Sequence, residues 1–120
     1  MSDMPCFVGI DVAKAQLDIA LRPSGERWAV PNDASGVATL VDRVQALKPT
    51  LSVLEATGGL ERAVASALAT VGLPVVVVNP RQVRDFARAT GQLAKTDALD
   101  ARALAHFADV IRPTPRPLPD

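Results

Sequence analysis

Cys6-Phe7-Val8-Gly9-Ile10-Asp11 is an apolar run that ends on a carboxylate. Continued by Val12, it is near-continuous and of strand length, which suits a strand covered on both faces at the centre of a sheet. An acid at the end of such a strand is either a cap or a reagent. Ala13-Lys14-Ala15 is a short link, and Gln16 to Arg22 alternates Leu17, Ile19 and Leu21 with Asp18 and Ala20. That period of two marks a half-buried strand, folded back on the first as a hairpin.

Outward from the hairpin, Pro23-Ser24-Gly25 supplies turn residues before a short strand over Glu26 to Val30, with Trp28 and Val30 on one face. Asn32-Asp33-Ala34 places a capping side chain before a helix whose apolar positions are Val37, Leu40, Val41, Val44 and Leu47, stopped by Lys48-Pro49. Leu51 to Leu54 is a second short apolar run, and it too ends on a carboxylate, Glu55. Thr57-Gly58-Gly59 turns the chain into a helix from about Leu60 to Val71, and Gly72 closes it before a β-branched strand over Leu73 to Val78. Asn79-Pro80 opens a third helix that runs to about Ala89. Thr96 is a good cap for a last helix from Asp97 to about Ile111, beyond which the prolines at 113, 115, 117 and 119 enforce an extended tail.

The pattern predicts an α/β fold: a mixed five-stranded sheet of three antiparallel strands followed by two parallel ones on right-handed crossovers, with helices on its faces. One domain over residues 1–112 and a proline-rich spacer over 113–120 account for the whole length. If the fourth strand pairs parallel with the first, Asp11 and Glu55 end side by side at one edge of the sheet.

Bulk properties narrow the classes. No apolar run reaches the ~18 residues of a membrane span, and no basic region followed by an apolar stretch opens the chain, so the expected location is the cytoplasm. Cys6 is the single cysteine and reads as a small core residue. Formal net charge is zero, so a nucleic-acid partner would have to be held by a local basic patch.

Asp97 and Asp100 stand at i and i+3, on one face of the first turn expected for the last helix. If that turn abuts the sheet edge, four carboxylates line one pocket. Acids so crowded repel unless a cation lies between them. Hard oxygen ligands suit Mg²⁺ or Mn²⁺, and two such ions about 3.5 to 4 Å apart would clamp a phosphodiester for in-line attack. Each acid also has a plainer reading: Asp97 and Asp100 suit a helix dipole, Glu55 could cap the helix after it, and Asp11 could be a solvated strand end. Their recurrence at separate element ends favours a site.

Gly9-Ile10-Asp11-Val12-Ala13-Lys14 with Leu17-Asp18, then Glu55-Ala56-Thr57-Gly58, Asn79-Pro80 and Lys95-Thr96-Asp97-Ala98-Leu99-Asp100-Ala101 resemble, in order, the N-terminal domain of the DEDD insertion-sequence transposases. These are recombinases of the Piv invertase type, whose catalytic domain is similar to the RuvC resolvase and has an RNase H-like fold. The resemblance implies that Asp11, Glu55, Asp97 and Asp100 are a metal-binding tetrad for DNA strand cleavage and transfer. It further implies a C-terminal domain bearing a serine nucleophile, and as partners DNA, a structured non-coding guide RNA and further copies of the chain, with no membrane.

Arg81, Arg84 and Arg88 form one stripe of the third helix, and Lys14, Lys95 and Arg102 lie close in sequence to the acids. They read as phosphate contacts or as a solvated basic face. Trp28 reads as a core or interface residue before a base-stacking one, and His106 as a helix-surface or satisfied core histidine. Three competitors remain at this stage: a junction resolvase or nuclease of the same fold, a non-catalytic nucleic-acid-binding module, and an actin-like sugar or acetate kinase. The last needs a glycine-rich turn to admit phosphate, and Ala13-Lys14-Ala15-Gln16 has no glycine.

Overall fold

The computed structural model describes residues 5–91 and 100–115. The elements run β1 (Phe7–Val12), β2 (Gln16–Arg22), β3 (Arg27–Pro31), α1 (Ala34–Leu47), β4 (Leu51–Glu55), α2 (Arg62–Thr70), β5 (Val75–Val78), α3 (Pro80–Ala89) and α4 (Ala101–Ile111). The sheet has the order β3-β2-β1-β4-β5. β1 pairs antiparallel with β2 and parallel with β4, which makes it the central strand, as its unbroken apolar run predicts.

Alternation along β1 divides the core into two layers. Val8, Ile10 and Val12 pack with Leu40, Val41 and Val44 of α1 and Val64, Ala65 and Leu68 of α2. Phe7 points the other way, among Val83 and Ala87 of α3 and Leu104, Phe107 and Ala108 of α4. Gly9 shares the face of Phe7, and a Cβ there would overlap the backbone of Ala101, Leu104 and Ala105. Ala20 of β2 meets Ala101 and Ala105 in the same way. The last helix thus lies on the sheet at backbone distance, and this close seat decides where its N-terminus arrives.

Several boundaries differ from the sequence expectation, each for a local reason. α2 starts at Arg62 rather than about Leu60, because Gly58 and Gly59 hold positive φ of 71° and 107° and delay the helix. β5 starts at Val75, after Pro74, whose ring removes a ladder donor. Leu47, expected in the buried stripe of α1, is 37% exposed in the last turn. The described part of the last helix begins at Ala101, with Asp100 as its N-cap. The expected cap Thr96 and first-turn residue Asp97 lie outside the described residues. Among the described residues no helix is long and apolar enough to cross a membrane.

Candidate active site

Asp11 is two residues beyond Gly9, so its side chain leaves the sheet on the α4 side. Its partner across the antiparallel pair is Asp18, and Ile10 pairs with Leu54, which puts Glu55 beside it on the parallel neighbour. Leu51 and Val53, on the face of Glu55, pack with α3 and α4, so Glu55 faces the same layer. Asp100 reaches this edge as the α4 cap: its Oδ1 accepts from Ala103 N at 3.0 Å, and Arg102 lies 3.3 Å from its Oδ2. Three of the four expected acids therefore come to one edge from three separate elements.

The crowding is felt electrostatically. Burial pushes the half-buried Asp11 carboxyl above the ordinary carboxylate range, and the charges of Asp18 and Asp100 push it the same way. Glu55 is raised by burial and by Asp11, against a smaller opposing pull from the Arg84 guanidinium. Glu55 Oε2 is buried with no hydrogen-bond partner among the described residues. Among the described residues no three acid, imidazole or thiol side chains stand close enough together to hold an ion. The fourth acid, Asp97, and the nearby Lys95 lie outside the described residues.

Asp18 was legible in sequence only as the polar member of an alternating strand; its position opposite Asp11 follows from the hairpin register. Glu61 was not legible at all. Its side chain turns back into the loop after Glu55, where Oε1 accepts from Thr57 N at 2.9 Å, Thr57 Oγ1 at 3.2 Å and Gly59 N at 3.1 Å. These donors hold its carboxyl below the ordinary range despite burial. A charged residue at a helix start normally signals a cap, and nothing in the local sequence says that it will be buried.

The basic residues divide. Lys14 is exposed at the hairpin tip next to the acid edge. α3 starts where β5 leaves the sheet, with Asn79 Oδ1 accepting from Arg81 N at 2.8 Å, so the exposed Arg81 and half-buried Arg84 stand near that same edge. Arg88 lies 3.7 Å from Asp85 in its own helix, and Arg102 faces Asp100, so each is partly neutralised by an acid. Trp28 packs toward α1, on the opposite face from the acids, under the Arg43 guanidinium at 3.8 Å. His106 stacks edge-on to Phe86 at 4.8 Å, between α3 and α4.

The sequence pattern of the IS110-type DEDD transposases, a family described as transposase, matches residues 8–120. The chain belongs to this family. No curated protein matches it. Among solved structures, T. thermophilus RuvC in complex with a Holliday junction substrate is similar at a TM-score of 0.61 and 15% identity, over 94% of this chain and all of RuvC. The inorganic polyphosphate/ATP-glucomannokinase of Arthrobacter sp. strain KM is similar at a TM-score of 0.53 and 17% identity, over 79% of this chain and 52% of the kinase. The transposase domain thus has the RuvC-like, RNase H-like fold expected from its sequence. The likeness to the kinase is one of fold, and the amides of Thr57 and Gly59 are engaged by Glu61 rather than open to a phosphate.

Proposed function

We propose that this transposase domain is the metal-dependent catalytic unit for cutting and transferring DNA strands, with Asp11, Glu55, Asp97 and Asp100 as its ligands for Mg²⁺ or Mn²⁺, two ions in the working state. The observation that carries the reading is that Asp11 and Glu55 each follow the last paired residues, Ile10 and Leu54, of adjacent parallel strands, with both carboxyls raised and one oxygen buried without a donor among the described residues. Such an arrangement opposes folding unless a cation offsets it. The donor set is all hard oxygen, which fits these divalent ions and not a soft metal. Bound there, the ions would polarise the scissile phosphate and acidify the attacking hydroxyl.

The protein's own groups do the rest. Arg84, already acting on Glu55, and Arg81 and Lys14 at the same edge would neutralise DNA phosphates and set the strand against the acids. Lys95, Arg88 and Arg102 would extend that track, the last two by exchanging Asp85 and Asp100 for phosphate. Complete recombination is proposed for a cytoplasmic protein that also carries the serine-bearing domain, joined through the proline-rich segment 113–120, and that works as an oligomer with a guide RNA.

The test is calorimetric titration of the protein with Mn²⁺, beside a nicking assay on branched and linear DNA. Binding by the wild type, lost in Asp11→Asn and Glu55→Gln, supports the catalytic reading. DNA binding without any Mn²⁺ binding would leave only a nucleic-acid-binding module. Cutting confined to four-way junctions would favour a resolvase.

A further inference from the structure

We propose that Glu61 is a positioning residue of this site: its buried carboxylate holds the loop that leads the chain away from Glu55, and so keeps Glu55 facing Asp11. The inference rests on the reading of Asp11 and Glu55 as metal ligands.

Among the described residues Glu61 is the one charged side chain that is buried, at 7% exposure. Burying a carboxylate is costly unless it is well supplied with donors, and here one oxygen takes three. The obvious reason for an acid at a helix start would be to cap it. Glu61 occupies the N-cap position of α2 yet makes no side-chain bond to the first-turn amides. It faces backward, into the segment Thr57 to Gly59. What it orders is the loop, not the helix.

Beyond Glu61, the loop is tied to the start of α2 by Arg62 N, which donates to Gly59 O at 3.2 Å, a bond that leaves Thr57 untouched. Two glycines with positive φ give it wide backbone freedom, and its side chains are small. Meanwhile Glu55 sits beside Asp11 on the neighbouring parallel strand, and its buried Oε2 has no donor among the described residues. Repulsion from Asp11 therefore pushes Glu55 outward, against the backbone and a smaller pull from Arg84. Before Glu55 the resistance is the β4 ladder. After it, Ala56 N donates to Val78 O at 3.0 Å, and Thr57 is fastened to Glu61. Without Glu61 the amides of Thr57 and Gly59 lose their acceptor, and the clamp on the C-terminal side of Glu55 shortens to one hydrogen bond.

Glu61→Ala and Glu61→Gln separate this from a general structural role, since the glutamine keeps an Oε1 that can accept. At a temperature where all forms are folded, Glu61→Ala should weaken Mn²⁺ affinity and slow nicking by ~10- to 100-fold, the scale of a misplaced catalytic group. DNA affinity should not change, and Glu61→Gln should recover most of the loss. Equal activity and Mn²⁺ affinity in Glu61→Ala and the wild type would overturn the proposal, as would equal losses in both variants. Amide hydrogen exchange without metal provides a second readout. Faster exchange confined to Ala56, Thr57 and Gly59 in Glu61→Ala is expected, and unchanged exchange there would overturn the proposal. If the wild type bound no Mn²⁺, the metal reading would fall, while the exchange result would still decide whether Glu61 holds this loop.

Discussion

Asp11 and Glu55 bind protons more tightly in the folded chain than in the unfolded one, because burial and neighbouring carboxylates (Asp18 and Asp100 for Asp11, Asp11 for Glu55) penalise their charged forms. The sign of the linkage follows: without metal, folding stability falls as pH rises from the ordinary carboxylate range through the raised folded values. Glu61 and Asp109 run the other way. Their folded values are depressed, Glu61 by the loop donors and Asp109 by Arg22, 2.8 Å away, so their contributions are present above the ordinary range and are lost on acidification. Asp11→Asn should therefore leave the metal-free protein as stable at neutral pH as the wild type, or slightly more so, and abolish Mn²⁺ binding. Urea unfolding in chelator at about pH 5 and about pH 8 should further find a smaller loss of stability on going alkaline in the variant than in the wild type. If Asp11→Asn unfolds the metal-free protein, the carboxylate is structural and the site reading is wrong.

At the scale of elements, the seat of α4 on β1 is the contact on which the site depends. Gly9→Ala would drive a methyl group into the backbone of Ala101, Leu104 and Ala105, and because backbone cannot rotate aside the cost should be at least ~1–3 kcal/mol. Thermal unfolding and Mn²⁺ titration check it together: stability should fall, and any folded fraction should bind metal weakly because Asp100 has been lifted from Asp11. α3 offers a cleaner electrostatic test. Arg84→Ala should weaken DNA binding alike for all sequences, lower the slope of log affinity against log salt by about 1, and raise the Glu55 carboxyl further. These elements also mark how far sequence reading reaches. Apolar runs ending on Asp11 and Glu55, with a hairpin link and a crossover helix, were enough to place those two acids side by side, since strand pairing follows from period and link length. The cap of the described part of α4 was not legible, because Asp100 read as a first-turn acid and its bond to Ala103 N shows only in the folded chain. Arg88 and Arg102 read as free cations, for their acids lie close by along the helix and compete with phosphate only in three dimensions. Glu61 escaped because burial of a loop carboxylate is decided by backbone amides, which carry no sequence signature.

For the molecule as a whole, a metal that binds the folded state alone should raise its stability by mass action, ~2.7 kcal/mol at a hundred times the dissociation constant. Melting scans with Mn²⁺ and then with chelator should show a reversible upward shift of several degrees in the wild type and none in Asp11→Asn. The order of the chain has one more effect. The carboxylates at one sheet edge come from positions 11, 55 and 100, the first two joined by a parallel pairing that needs an intervening helix. As the chain leaves the ribosome, the hairpin with Asp11 is exposed long before Glu55 can dock, and Asp100 is made only near the end of this domain. A nascent transposase domain therefore assembles this carboxylate edge last, in the same folding event that docks α4 on the sheet.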